Sequence, residues 1–128
     1  MNQAELNEIL EQHKLWIDTD GKEGKRALMD YEDMINAVVM NVDMKRVDMR
    51  HADMSDVDMD YSCWPLWCGS LDVKVDARIA RQLAYHFCRL VCDDPEYISA
   101  RNALVDFANG FHRVEDCGRL ERIEADKS

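Results

Sequence analysis

The sequence predicts a mixed β-solenoid plus α chain: a short four-sided coil of about two turns held between helical ends. Three observations carry that expectation. Met29, Met34, Met44, Met49, Met54 and Met59, with Val39 in register, recur every five residues. Two places before each stands Ala27, Glu32, Ala37, Val42, Val47, Ala52 or Val57, and Ser62-Cys63-Trp64 follows as a degenerate eighth unit. The segments on either side carry helical spacing and helix caps instead. A period of five fits neither the 3.6 of a helix nor the 2 of a strand, and an internal repeat of this kind points to stacked units. In locally extended chain, residues two places apart point the same way. The other three positions of each unit are mostly polar and leave room for a turn. Four units then make one coil, with residue n over residue n+20. That register puts Met29 over Met49, Met34 over Met54, Val39 over Met59 and Met44 against Trp64.

Five of the seven regular units carry Asp at the second position: Asp33, Asp43, Asp48, Asp53 and Asp58. With that feature the segment resembles the pentapeptide-repeat family, whose unit is a small residue, Asp or Asn, Leu or Phe, and two variable positions. The resemblance covers Ala27 to Trp64 and implies a right-handed quadrilateral β-helix. Met replaces Leu or Phe in six units, and Glu32 takes a place normally given to a small residue, at a corner or at the start of the repeat. Met fills irregular space, so the Met ladder reads as core rather than as a metal site or a binding groove.

Each flank has its own signals. Asn2 with Glu5 three residues on is a capping box, and Leu6, Ile9, Leu10 and His13 follow at helical spacing, predicting a helix over 3–14 that covers the first coil. His13 reads as a helix-end residue. Asp18-Thr19-Asp20-Gly21 is a polar turn without the ligand set of a calcium loop. Cys63-Trp64-Pro65-Leu66-Trp67-Cys68-Gly69 forms an aromatic junction, with Trp64 and Trp67 expected to plug the last coil. Asp76 is expected to cap a helix reaching Cys92. Asp94-Pro95 opens a second helix to about Ala108, and Gly110 ends it. The expected organisation is a capping helix and turn in 1–24, the repeat in 25–64, a junction in 65–74, a helical hairpin in 75–112 and a charged tail in 113–128.

Composition narrows the function classes. The chain has 128 residues and a net charge of −10, which opposes direct binding to nucleic acid and suits a basic partner. Residues 27–61 hold nine acids against three bases, leaving −6 on the repeat. No apolar run has membrane-spanning length, and the N-terminus lacks a signal-peptide pattern. Five cysteines fit a reducing compartment. A cytoplasmic protein without membrane contact is expected, in the host cytoplasm if it is phage-encoded.

Cys63, Cys68, His86, Cys88, Cys92, His112 and Cys117 cluster loosely, but no C-x-x-C pair occurs, and neither an oxyanion nor a base signature accompanies Cys88 or Cys117 with His112. The expectation is therefore no catalytic residue, no metal and no cofactor. The best understood members of the family are not enzymes, and some imitate duplex DNA to bind gyrase. The Tyr61-to-Ser70 junction and Tyr85-His86-Phe87-Cys88 also resemble tails of small phage and prophage pentapeptide proteins. Together these imply a phage-encoded inhibitor of a host nucleic-acid-handling or defence protein, such as an anti-CRISPR or related anti-defence factor. Its acidic surface (Asp43, Asp48, Asp53, Asp56, Asp58 and Asp60) would meet a basic, nucleic-acid-binding surface on the host protein. An alternative is a nucleotide-type small-molecule sponge using Trp64, Trp67, Arg78, Arg81, Tyr85, His86 and Arg89, and a third is a structural module. A homodimer is expected, because a short coil with a two-helix appendage leaves apolar surface to cover.

Overall fold

A computed structural model of the chain describes residues 1–124. The described residues contain no β-strand and no sheet, and their regular elements are α1 (Gln3–Asp18), α2 (Ala77–Cys88), α3 (Pro95–Ala108), α4 (Val114–Cys117) and one 3-10 turn at Cys68–Ser70. This overturns the β-solenoid class, and with it the right-handed quadrilateral β-helix and the pentapeptide-repeat β-helix description. The reason is local. Each five-residue unit spends its last residues on a turn, so no extended run lasts long enough to become a strand.

The turns themselves are regular. Tyr31, Asn36, Asn41, Arg46, His51, Asp56 and Tyr61, the fifth residue of every unit, all have φ between 58° and 65°. The residue after the turn donates its N–H to the carbonyl of the unit's central residue: Glu32 to Met29, Ala37 to Met34, Val47 to Met44, Ala52 to Met49, Val57 to Met54 and Ser62 to Met59. A positive φ at the third residue of such a four-residue turn is the type II pattern. Left-handed backbone costs a residue with a side chain about 1–2 kcal/mol, so the turn needs compensation. Successive passes supply part of it. Isolated parallel bridges join Leu28 to Asp48, Asp33 to Asp53 and Val38 to Asp58, each pair twenty residues apart. Tyr31, Asn36 and Asn41 donate across to Arg50, Ser55 and Asp60. Inside, Met29, Val39, Met44, Met49 and Met54 are fully buried, with Ala27, Val47, Ala52 and Val57 packed between them. Burying a side chain of this size contributes about 1.5–3 kcal/mol.

The chain divides into two compact units, Met1–Asp76 and Ala77–Ser128. In the first, α1 runs four residues beyond the predicted end. Asn2 Oδ1 accepts the Glu5 N–H at 2.8 Å, and Asn2 Nδ2 donates to Glu5 Oε1 at 3.0 Å, so the cap is reciprocal but its second bond is made by the Asn2 side chain and not by its backbone N–H. The helix reaches the turn stack through three side chains of the sequence signal. Leu6 and Leu10 are buried. Gln3 pairs with both backbone groups of Val38, each at 2.8 Å. His13, expected at the helix end, is instead buried in its body.

His13 joins three parts of this unit. Its Nδ1 accepts the Ala27 N–H at 2.9 Å, and Nε2 lies 2.7 Å from the Lys45 carbonyl. A backbone N–H can only donate, so Nδ1 carries no proton and Nε2–H donates to Lys45. The neutral ring fits, and burial holds its pKa below the ordinary 6.5.

In the second unit α2 stops at Cys88, four residues short of the predicted Cys92. Asp94 caps α3 by accepting from Glu96 and Tyr97, with Pro95 in the first turn. Helices α2 and α3 pack together, and the short α4 was not predicted. Tyr85, Cys88, Val105, Ala108, Phe111, Val114 and Leu120 form the core. Residues 125–128 of the expected charged tail lie outside the described residues.

Two predictions follow from the turn stack and its helix. Asn36→Ala should cost about 1 kcal/mol in denaturant unfolding, because Ala disfavours left-handed backbone, whereas Asn36→Gly should change stability by only a few tenths. The folded chain should resist protonation of His13 while the unfolded chain accepts it near pH 6.5. Stability is then full above about pH 6.5, falls as the pH drops below it, and levels off below the lowered folded pKa. Denaturation midpoints measured from pH 7 to pH 5 should show this slope, and His13→Gln should lose it.

Candidate functional site

The acids of the repeat have a structural task before any functional one. Oδ1 of Asp33, Asp43, Asp48, Asp53 and Asp58 accepts the N–H two residues on, from Ile35 (3.0 Å), Lys45 (2.9 Å), Arg50 (3.3 Å), Ser55 (3.1 Å) and Asp60 (3.1 Å). This is the Asx turn, a side-chain substitute for a backbone turn. It restrains the residues leading into each left-handed position, and one such bond contributes about 1 kcal/mol.

At Asp43, Asp48 and Asp53 the bonds also favour the charged carboxylate. Asp53 is held below the usual carboxylate range by the Ser55 hydroxyl and N–H, and Asp43 by the Lys45 N–H. Asp48 is held down first by the Arg50 side chain, whose Nη2 lies 2.8 Å from Oδ2. Asp48 is buried, so its charge is spent on Arg50.

The twenty-residue offset places the acids around the stack. Four units complete a pass, so units one and five form one column, two and six the next, three and seven the third, four and eight the last. The six predicted partner-binding acids therefore do not share one face: Asp48 belongs to the first column, Asp53 and Asp56 to the second, Asp58 and Asp60 to the third, Asp43 to the fourth. The second and third columns, 32–41 with 52–61, contain Glu32, Asp33, Asp53, Asp56, Asp58 and Asp60 and no Lys or Arg. Lys74 approaches this region, 3.5 Å from Asp53, and Asp76 accepts the Asp56 N–H at 2.8 Å. The first and fourth columns hold Lys45, Arg46, Arg50 and His51 beside Asp30, Asp43 and Asp48. Glu32 and Asp33 belong to the acid-rich side although residue spacing alone did not select them. Taking the sequence in columns of twenty finds them.

The residues of the alternative ligand surface are divided between the two compact units. Trp64 and Trp67 lie in the first unit. There Trp67 Nε1 donates to Val47 O at 2.9 Å, and Gly69 sits directly against the ring, where a Cβ would collide with it. Arg78, Arg81, Tyr85, His86 and Arg89 belong to the second unit, where two of the arginines are caps. Arg81 Nη1 donates to Phe107 O in the last turn of α3 at 2.8 Å, and Arg89 Nη1 donates to Cys117 O at the end of α4 at 2.8 Å. Arg101, missed in the sequence, does the same for α2, with Nε 2.9 Å from Cys88 O. Cations at helix C-termini offset the helix dipole and the unpaired carbonyls there. Tyr85 is buried, with its hydroxyl on Gly118 O at 2.6 Å. His86 is exposed at the end of α2, and Arg78 is half-buried.

No group of three or more His, Cys, Asp or Glu able to hold a metal ion occurs among the described residues. Cys88 is buried and desolvation raises its thiol pKa, while Cys63, Cys68, Cys92 and Cys117 are exposed. The Cys63 thiol is raised by burial and by the Asp43 carboxylate, to which it donates at 3.2 Å. A groove of about 600 Å³ runs between α1 and the first pass, with Leu10, Ile17, Val38, Met40 and Val42 in its walls. Glu11, Lys14, Asp18 and Asp43 line it as well. No helix is long and apolar enough to cross a membrane among the described residues. Comparison with protein-family models, curated proteins and solved structures gives no match.

Because Asn keeps the side-chain acceptor and Ala does not, Asp58→Asn should leave the unfolding free energy within a few tenths of a kcal/mol, while Asp58→Ala should lower it by about 1 kcal/mol. Paired chemical denaturation curves check both values.

Proposed function

We propose that this protein is a non-enzymatic binding protein that occupies the cationic, nucleic-acid-handling surface of another protein and so inhibits it. The observation that carries this reading is the segregation of charge: two neighbouring columns of the turn stack hold six acids without a Lys or Arg of their own. Turn bonds fix Asp33, Asp53 and Asp58 in position, so little side-chain entropy remains to be lost on association. The net charge of −10 adds long-range attraction to a basic partner and speeds encounter. Of the acids first expected to bind, Asp53, Asp56, Asp58 and Asp60 remain in this surface. Asp43 and Asp48 leave it, and Glu32 and Asp33 join it. An anti-defence role in a phage-infected cell, anti-CRISPR included, is the specific form proposed for this reading.

The test uses Asn, which neutralises charge without removing the turn acceptor. The native chain and the quadruple variant Asp53→Asn, Asp56→Asn, Asp58→Asn, Asp60→Asn would each be used to capture proteins from a bacterial lysate. Captured proteins would then be assayed for release of their bound duplex DNA. The expected outcome is capture of DNA-binding proteins by the native chain, displacement of their DNA, and loss of both by the variant, with affinity reduced more at low salt than at high salt. Equal capture by the folded variant contradicts the proposal.

A further inference from the structure

The opposite side of the turn stack carries a second, unlike surface. All three tryptophans of the chain, Trp16, Trp64 and Trp67, line two recesses that share Lys45 and Arg46. The larger recess has a volume of about 340 Å³ and an apolar wall of Trp64, Pro65, Leu66 and Trp67, with Asp43 and Cys63 lining it beside Lys45 and Arg46. The smaller is a notch of about 90 Å³ beside Trp16 and Gly21.

Cations and rings alternate here. The Arg46 guanidinium lies 4.8 Å from the Trp16 ring centre and the Arg26 guanidinium 4.5 Å from that of Trp67. Arg26 Nε donates to the Arg46 carbonyl at 2.7 Å, tying the two pairs together. None of the described ion pairs takes Arg26, Lys45 or Arg46. Leu66 is 94% exposed and Trp67 38% exposed beside them. Asp43 faces Lys45 and Asp48 acts on Arg26, so three cations stand against two carboxylates here. Hydrophobic surface of this kind, open to water and rimmed by an excess of cations, suits a planar apolar ring bearing an anionic group.

We infer that the recess formed by Trp64, Leu66 and Trp67, rimmed by Lys45, Arg46 and Arg26, binds a nucleobase carrying a single phosphate. The base lies on the apolar wall, since any base offers a π-face for stacking. The phosphate meets Lys45 as a point charge and Arg46 as a planar donor. A volume of about 340 Å³ is at the low end for ligand pockets, which run from about 300 Å³, and so suits one nucleotide. The net charge of −10 opposes a long polyanion. Its residues belong neither to the second unit nor to the acid-rich columns, so it stands or falls independently of the proposed inhibitor role.

Tryptophan fluorescence reports on the site directly, because the second unit contains no tryptophan. The full chain would be titrated with adenosine 5′-monophosphate, uridine 5′-monophosphate, adenosine, and a short 5′-phosphorylated single-stranded oligonucleotide. Saturable quenching by the monophosphates, with adenosine weaker by about tenfold, is expected. The oligonucleotide identifies the source of the base: quenching as strong as that of the monophosphate assigns a strand end, weaker quenching a free nucleotide. Arg46→Asn should lower affinity about tenfold, and it preserves the fold because Asn suits the left-handed backbone at φ 63°. Trp67→Phe, which keeps a ring over Gly69, should weaken binding less. No saturable quenching at millimolar nucleotide, adenosine binding as well as its phosphate, or full affinity in a folded Arg46→Asn variant would each overturn the inference.

Discussion

Everything in the first unit depends on one local constraint, a residue held in left-handed backbone at the end of every five-residue unit. The residues that accept it include Tyr31, Arg46 and Tyr61, none of which prefers that conformation. No single interaction offsets the cost. It is shared among the turn hydrogen bond to the central residue, the Asx bond where Asp is present, and the burial of a Met or Val on the inside. Because the three recur together, the chain turns by the same amount each time and returns to itself after twenty residues. The bridges between passes, the Met core and the placement of charge all follow from that return.

Much of this was legible in the sequence, and the parts that were not have physical reasons. The period of five, the inward Met positions and the capping of α1 by Asn2 and of α3 by Asp94 are local signals that tertiary packing did not override. The assignment of a β-solenoid failed because periodicity records which residues point inward, while a strand also needs several consecutive extended residues. The turn in each unit removes them. His13 was misplaced because a helix was expected to end where its apolar spacing weakened. Thr19 instead closes the helix, its hydroxyl donating to Leu15 O at 2.7 Å and its N–H to the same carbonyl. That Arg81 and Arg89 bond to helix ends was not legible, because composition cannot distinguish a cation facing solvent from one bonded to a helix end.

The acids illustrate how far spacing alone can mislead about a surface. Asp43, Asp48, Asp53 and Asp58 are evenly spaced in sequence, which reads as a ladder along one face. With four units to a pass, even spacing of five instead distributes them around the stack. A shared side requires a spacing of twenty, as between Asp33 and Asp53, or neighbouring columns, as between Asp53 and Asp58. The result is a polarised unit, acid on two columns and cationic with aromatic rings on the fourth. A uniformly acidic chain would repel every anion, whereas on the proposed readings one side would attract basic proteins and the other would hold a small anionic ring.

The central claim is that the five-residue turns close into passes twenty residues apart and fold as one cooperative body. Native-state amide hydrogen exchange tests it most directly. The amides of Met29, Tyr31, Met34, Asn36, Val39 and Asn41 all donate to the following pass, and the account predicts that they exchange slowly with a common opening free energy. Neighbouring amides of the same units that do not reach the next pass should exchange faster. Exchange of those six amides at the rate of an unfolded peptide, or with widely scattered opening energies, would contradict it.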